Sequence, residues 1–84
     1  MYNCMITFRS VTPAQRGEGL LRRAGIGCAL SRTPKRMEQQ GCGYSLRIDT
    51  AYVPTAVQLL REHRIPFRKV YYMRGQDILE EMTV

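Results

Sequence analysis

Hydrophobic and polar positions alternate from Tyr2 to Phe8, with Tyr2, Cys4, Ile6 and Phe8 on one side, and this period of two predicts a strand. The period then changes. Thr12-Pro13 opens a helix, with Thr12 or Ser10 as cap and the proline in the first turn. Ala14, Gly17, Leu21 and Ala24 keep helical spacing, with Leu20 beside them, and Gly25 supplies the stop. Ile26, Cys28 and Leu30 share one face of a short second strand, Ile26 to Leu30. After a polar stretch from Ser31 to Gly41, alternation returns from Gly43 to Asp49, with Tyr44, Leu46 and Ile48 inward and Ser45, Arg47 and Asp49 outward. Thr50 to Arg64 suits a second helix, striped by Val53, Ala56, Val57 and Leu60, with Pro54 confined to its first turn. Phe67 to Tyr72 predicts a fourth strand, and Gln76 to Met82 a short terminal helix after Gly75.

The order β-α-β-β-α-β predicts an α+β domain, the ferredoxin-like split β-α-β sandwich with both helices on one face and a short C-terminal helix. Strands one and three are expected to run parallel in the middle of the sheet, with strands two and four at the edges. The start of the third strand would then lie beside the end of the second and the end of the fourth. The basic loop, Cys42 and the start of the terminal helix would gather there. One internal match stands out. Leu20-Leu21-Arg22 followed by Ile26 has the spacing of Leu59-Leu60-Arg61 followed by Ile65, and Phe8-Arg9 with Thr12 has that of Leu46-Arg47 with Thr50. This is either a true repeat of two β-α-β halves or the common look of helix-to-strand junctions.

The 84 residues give room for one domain, residues 1–84, which buries roughly 60–65% of the surface its unfolded chain exposes. Its 44% hydrophobic and 24% charged content is that of a folded domain rather than a disordered chain. No apolar run approaches the ~20 residues of a membrane span, and Met1 to Phe8 lacks a charged, then apolar, secretion signal; a cytoplasmic location away from membranes is expected. The net charge of +6 permits an acidic partner or nucleic acid. RNA-binding domains of this topology expose stacking aromatics on the central strands, whereas the outward positions here are Asn3, Thr7, Ser45, Arg47 and Asp49, which argues against nucleic acid.

The three cysteines are an odd number without a Cys-x-x-Cys pair, and His63, near none of them, suits a surface or capping role in the last turn of its helix. Free thiols in a reducing compartment fit this better than disulfides or structural zinc, and no metal or cofactor is expected. Cys4 and Cys28 fall on inward faces and suit small buried hydrophobes. Cys42 sits between Gly41 and Gly43, with no neighbouring side chain to shield its sulfur. It is either an inconsequential loop cysteine or a nucleophile. Reactivity requires thiolate, which an unperturbed cysteine holds at only ~3% at neutral pH. Arg32, Lys35 and Arg36 are close enough in sequence to supply a cation, the terminal helix start would add partial positive charge, and Asp77 would oppose it.

Ile6-Thr7-Phe8-Arg9-Ser10, the Gly25-Ile26 turn, Thr33-Pro34-Lys35-Arg36, and Cys42-Gly43 followed by Arg47 together resemble the small bacterial selenium/sulfur carrier protein-like family, from about Tyr2 to Tyr72. The most specific part is the Thr-Pro-x-Arg loop leading to Cys-Gly. The resemblance implies that Cys42 holds a persulfide or selenopersulfide, with Arg32, Thr33, Pro34, Lys35, Arg36 and Gly43 as the binding residues around it. Donor and acceptor proteins of sulfur or selenium transfer would be the partners.

The chain carries no Ser/His/Asp set, paired carboxylates or phosphate-binding glycine loop, so a thiol carrier or binding domain is expected rather than an enzyme. The alternative is a non-catalytic binding or assembly module, a homodimer joined through its short, unprotected second strand, with Cys42 incidental.

Overall fold

The computed structural model describes residues 3–32, 43–74 and 77–82. The expected loop residues Thr33, Pro34, Lys35 and Arg36, and Cys42 itself, lie outside the described residues. The elements are β1 (Cys4–Phe8), α1 (Val11–Arg23), β2 (Ala29–Arg32), β3 (Tyr44–Ile48), a 3₁₀ turn (Thr50–Tyr52), α2 (Val53–Glu62), β4 (Val70–Arg74) and β5 (Asp77–Met82). They form an α+β domain with one antiparallel sheet in the order β2-β3-β1-β4-β5. The first four strands have an order compatible with the expected ferredoxin-like arrangement. All five residues of β1 are buried, as befits the middle of a sheet.

Two expectations are corrected. β1 and β3 are neighbours but antiparallel, pairing Cys4 with Ile48 and Phe8 with Tyr44. The reason is directional: a crossover helix keeps β2 parallel to β1, and the hairpin-like return after β2 reverses β3. The start of β3 therefore faces the end of β1, and β4 begins, rather than ends, at that end of the sheet, with Val70 opposite Ile6. The terminal segment, moreover, is a strand. Leu79, Glu80 and Met82 favour helices intrinsically, but β4 would otherwise present an open row of backbone donors and acceptors. β5 pairs with that row from Val70–Met82 to Arg74–Asp77, across an irregularity at Tyr72/Met73, and Lys69 adds an ion pair to Glu81 at 3.4 Å.

The core lies between one sheet face and the two helices. It holds Cys4, Ile6 and Phe8 from β1, Leu46 and Ile48 from β3, Ala14 and Leu21 from α1, and Val53, Ala56 and Leu60 from α2. Gly17 allows α1 to approach closely: a Cβ there would stand 3.2 Å from a Leu60 methyl and 3.3 Å from one of Leu46. The opposite sheet face is also covered, since Met5, Thr7, Ser45 and Met73 are buried. Ser45 thus points away from the helices as its parity requires, yet not into solvent.

Both helices end in the same hydrogen-bonded turn. After α1, the Ile26 N–H donates to the Leu21 carbonyl (2.9 Å) and Gly25, at φ 82°, donates to Arg22 (3.0 Å). After α2, Ile65 donates to Leu60 (2.9 Å) and Arg64, at φ 56°, donates to Arg61 (3.1 Å). This is the Schellman closure, with glycine in the left-handed position once and arginine there once. The matching residues seen in the sequence coincide with it.

Candidate functional site

Cys4 stands on the central strand with no exposed surface, its Sγ 3.1 Å from the Thr50 hydroxyl oxygen. Burial pushes its thiol above the ordinary range; the Thr50 hydrogen bond opposes this and the Asp49 charge adds to it. Cys28 is 4% exposed, its Sγ 3.9 Å from the Glu18 carbonyl oxygen it faces. Burial raises this thiol too, against the hydrogen bond and charge of Arg22 and with the Glu18 carboxylate. The Arg22 guanidinium also donates to the Cys28 carbonyl at 3.2 Å and pairs with Glu18 at 3.4 Å, which closes the corner between α1 and β2. Both thiols lack the thiolate character and access a nucleophile requires. The sequence's assignment of these two as packed residues holds.

The chain contains one more cysteine, Cys42, immediately ahead of Gly43. Gly43 is buried and leads into Tyr44, which pairs with Phe8 on one side and Arg32 on the other. Arg32, the last described residue of β2, thus lies beside the first residue of β3. Arg32 is exposed, its guanidinium 5.9 Å from the centre of the Tyr44 ring, a cation–π contact that holds the charge over the first residue of β3. Of the sequence's candidate residues, Arg32 and Gly43 are thus brought together; the others lie outside the described residues.

The helix start at this end of the sheet is that of α1. Phe8 is followed by Arg9, by Ser10 in the cap position and by Val11, the first residue of α1. Ser10 makes no side-chain capping bond and the first turn holds no acidic residue, so neither offsets the partial positive charge of the helix start. Asp77, expected to oppose such a charge, is instead the strand partner of Arg74 in the β4–β5 ladder, at the far end of the sheet. Of Arg9, Arg16 and Arg68 beside this helix start, the sequence singled out only Arg9, within the family pattern; the seven-residue spacing of Arg9, Arg16 and Arg23 was the available signal for more. His63 is the exposed C-cap of α2, as expected. Arg47, one of the residues of the Cys-Gly pattern, lies on the face away from the helices with its Nε buried and unbonded among the described residues.

Among the described residues no group of His, Cys, Asp and Glu could hold a metal ion, and no helix is long and apolar enough to cross a membrane. The class these features define is a small α+β domain whose two described thiols are both sequestered. The chain belongs to the family described as "Putative Se/S carrier protein-like", whose model matches residues 3–72. No curated protein and no solved structure matches it.

Proposed function

We propose that the protein is a sulfur or selenium carrier that holds the atom as a persulfide or selenopersulfide on Cys42. The Cys42 thiolate attacks the terminal sulfur of a cysteine persulfide on a donor protein. An S–S bond forms between Cys42 and that sulfur, the donor's S–S bond breaks, and the donor thiolate leaves with the bonding electron pair. The sulfane atom keeps its oxidation state, so no oxidant is consumed. Delivery repeats the exchange in the opposite sense onto an acceptor thiolate; selenium follows the same path as Cys42–S–SeH. Nothing in this scheme makes the protein an enzyme: it carries an atom between partners within the cell.

The observation that carries the proposal is the sequestration of Cys4 and Cys28. The fold withdraws Cys4 and Cys28 into the core and raises both thiols. A carrier needs one reactive thiol and no competing neighbour that would form a disulfide and discharge the persulfide. Support comes also from Arg32, which brings a permanent cation to the strand ends flanking the Cys42 segment, where it favours thiolate and the anionic terminal chalcogen. Thr33, Pro34, Lys35 and Arg36 would complete the binding residues, within a ferredoxin-like frame.

The test is intact-mass spectrometry after incubation with a cysteine desulfurase and free cysteine. The wild-type chain is expected to gain the mass of one sulfur atom, reversed by a thiol reductant, and Cys42→Ser is expected to gain none. A wild-type chain that stays unmodified, or an adduct retained in Cys42→Ser, removes the carrier role and leaves a binding or assembly module.

A further inference from the structure

Two cavities lie along α1 and share one residue, Arg16. The first, about 480 Å³, opens at the helix start, with Arg9, Arg16 and Arg68 at its walls and Pro13, Pro66 and Phe67 as apolar lining. The second, about 280 Å³, continues along the helix between Arg16 and Arg23, with His63 opposite and Leu20 and Ile65 among its lining. No described carboxylate lines either cavity. Arg16 and Arg23 are two helical turns apart, about 10 Å along the axis. The result is a trough with the guanidiniums of Arg9, Arg16 and Arg23 spread along it and an apolar pocket at one end. The wall opposite α1 is held to the sheet: the Arg68 N–H donates to the Thr7 carbonyl at 2.7 Å, and Thr7 donates back to Lys69 at 2.8 Å.

We infer that this trough docks an extended acidic segment of a partner protein, carrying one bulky apolar side chain among its carboxylates. A small anion would use one cavity only; a chain with carboxylates on successive residues spans both, from Arg9 past Arg16 to Arg23. Planar guanidinium forks match carboxylates in paired hydrogen bonds. The apolar side chain fills the Pro13–Phe67 pocket, and the open first turn of α1 adds donors beside it. Nucleic acid fits less well, because the Phe67 ring already has Arg61 over it at 5.8 Å and offers no clear stacking platform. The inference extends the carrier reading, since a persulfide in water is short-lived and its donor or acceptor must seat directly. It uses only residues outside the Cys42 segment.

The test measures fluorescence anisotropy of the labelled peptide Glu-Asp-Phe-Glu-Asp-Glu against the full chain at low salt. Controls are the isosteric neutral peptide with Gln and Asn, the peptide with Ala for Phe, and oligothymidylate of matching charge. Arg16→Gln is expected to weaken acidic-peptide binding about fivefold and Arg9→Gln with Arg16→Gln about twentyfold. Arg74→Gln removes the same single charge from the opposite end of the sheet and is expected to change it less than about twofold. All these arginines are exposed, so the variants fold, which a thermal melt by circular dichroism verifies. Cys42→Ser is expected to bind the peptide unchanged, so a failed sulfur transfer with intact docking separates the two proposals. Equal losses for Arg16→Gln and Arg74→Gln, indifference to the peptide's phenylalanine, or tighter binding of the oligonucleotide than of the peptide would each overturn the inference.

Discussion

Alkylation of the native protein by iodoacetamide is expected to separate the three cysteines by orders of magnitude. Cys4 has no exposed surface and sits on a strand paired on both sides, so reagent reaches it only when the domain opens. At a stability of about 5 kcal/mol, the lower end for a domain, the open fraction is roughly 10⁻⁴, and the Cys4 rate falls about 10³- to 10⁴-fold below that of an exposed thiol. Its raised pKa slows it further whenever the opening is small enough to keep the sulfur desolvated. Cys28 lies just ahead of the edge strand β2, under the Arg22–Glu18 pair, and a local opening suffices to reach it. It is expected to react faster than Cys4 and with weaker dependence on urea, because less surface is exposed in that opening. Cys42 should react in a single fast phase. Quenched samples digested and weighed by mass spectrometry assign each phase to its peptide, and full denaturation should make all three rates converge. Fast labelling of Cys4 or Cys28 in the native chain would refute the burial argument. Slow labelling of Cys42 would refute the carrier function built on it.

Two further outcomes test the physics of the frame. Gly25→Ala is expected to cost about 1 kcal/mol, read from the urea midpoint at constant slope, since a left-handed alanine is strained but its Cβ would meet no atom within 4 Å; Arg64→Gly at the equivalent turn should gain about 0.5–1 kcal/mol, and a loss there would show that the arginine side chain matters more than its backbone strain. Because both buried thiols ionise less readily folded than unfolded, they contribute stability that is complete below the unfolded thiol value, near 8.5, and is lost as pH climbs from there through the raised folded values. The urea midpoint should therefore decline above about pH 8.5, less steeply in Cys28→Ala, and equal slopes in the two proteins would exclude the contribution of Cys28.

Much of the frame was legible because it is local. Alternation placed Cys4, Ile6 and Phe8, and Leu46 and Ile48, on the helix-packed face, and Pro54 fell in the first turn of α2 as its missing N–H demands. Boundaries moved where pairing decides them: β2 begins at Ala29 rather than Ile26, and β4 at Val70, although Thr7 already bonds Arg68 and Lys69 ahead of it. Asp77–Met82 was misread because its residues favour a helix and only the vacant edge of β4, a long-range feature, makes it a strand. The burial of Ser45 was likewise hidden, since alternation reports which face a residue takes and not whether that face is covered.

The candidate site shows the same division between local and directional information. The reading of the cysteines depended on faces and spacing, and it survived for Cys4 and Cys28. The neighbours of the β3 start depended on strand direction: the end of β2 lies there as expected, but the parallel pairing of β1 and β3 wrongly added the end of β4 and the terminal segment. The necessary constraint was already in the β-α-β-β order: one crossover keeps direction, one tight return reverses it, so the first and third strands must oppose each other. Carrying that constraint through exchanges the terminal segment for the start of α1, and exchanges Asp77 for Arg9 as a charged residue at that end of the sheet. The electrostatic sign at the β3 end then becomes uniformly positive among the described residues that flank it: Arg32 on one side, Arg9 and an uncapped helix start on the other. An environment of that sign favours every species in the proposed exchange that carries negative charge, the attacking thiolate and the departing one alike, and it draws an acidic donor to the same end of the sheet.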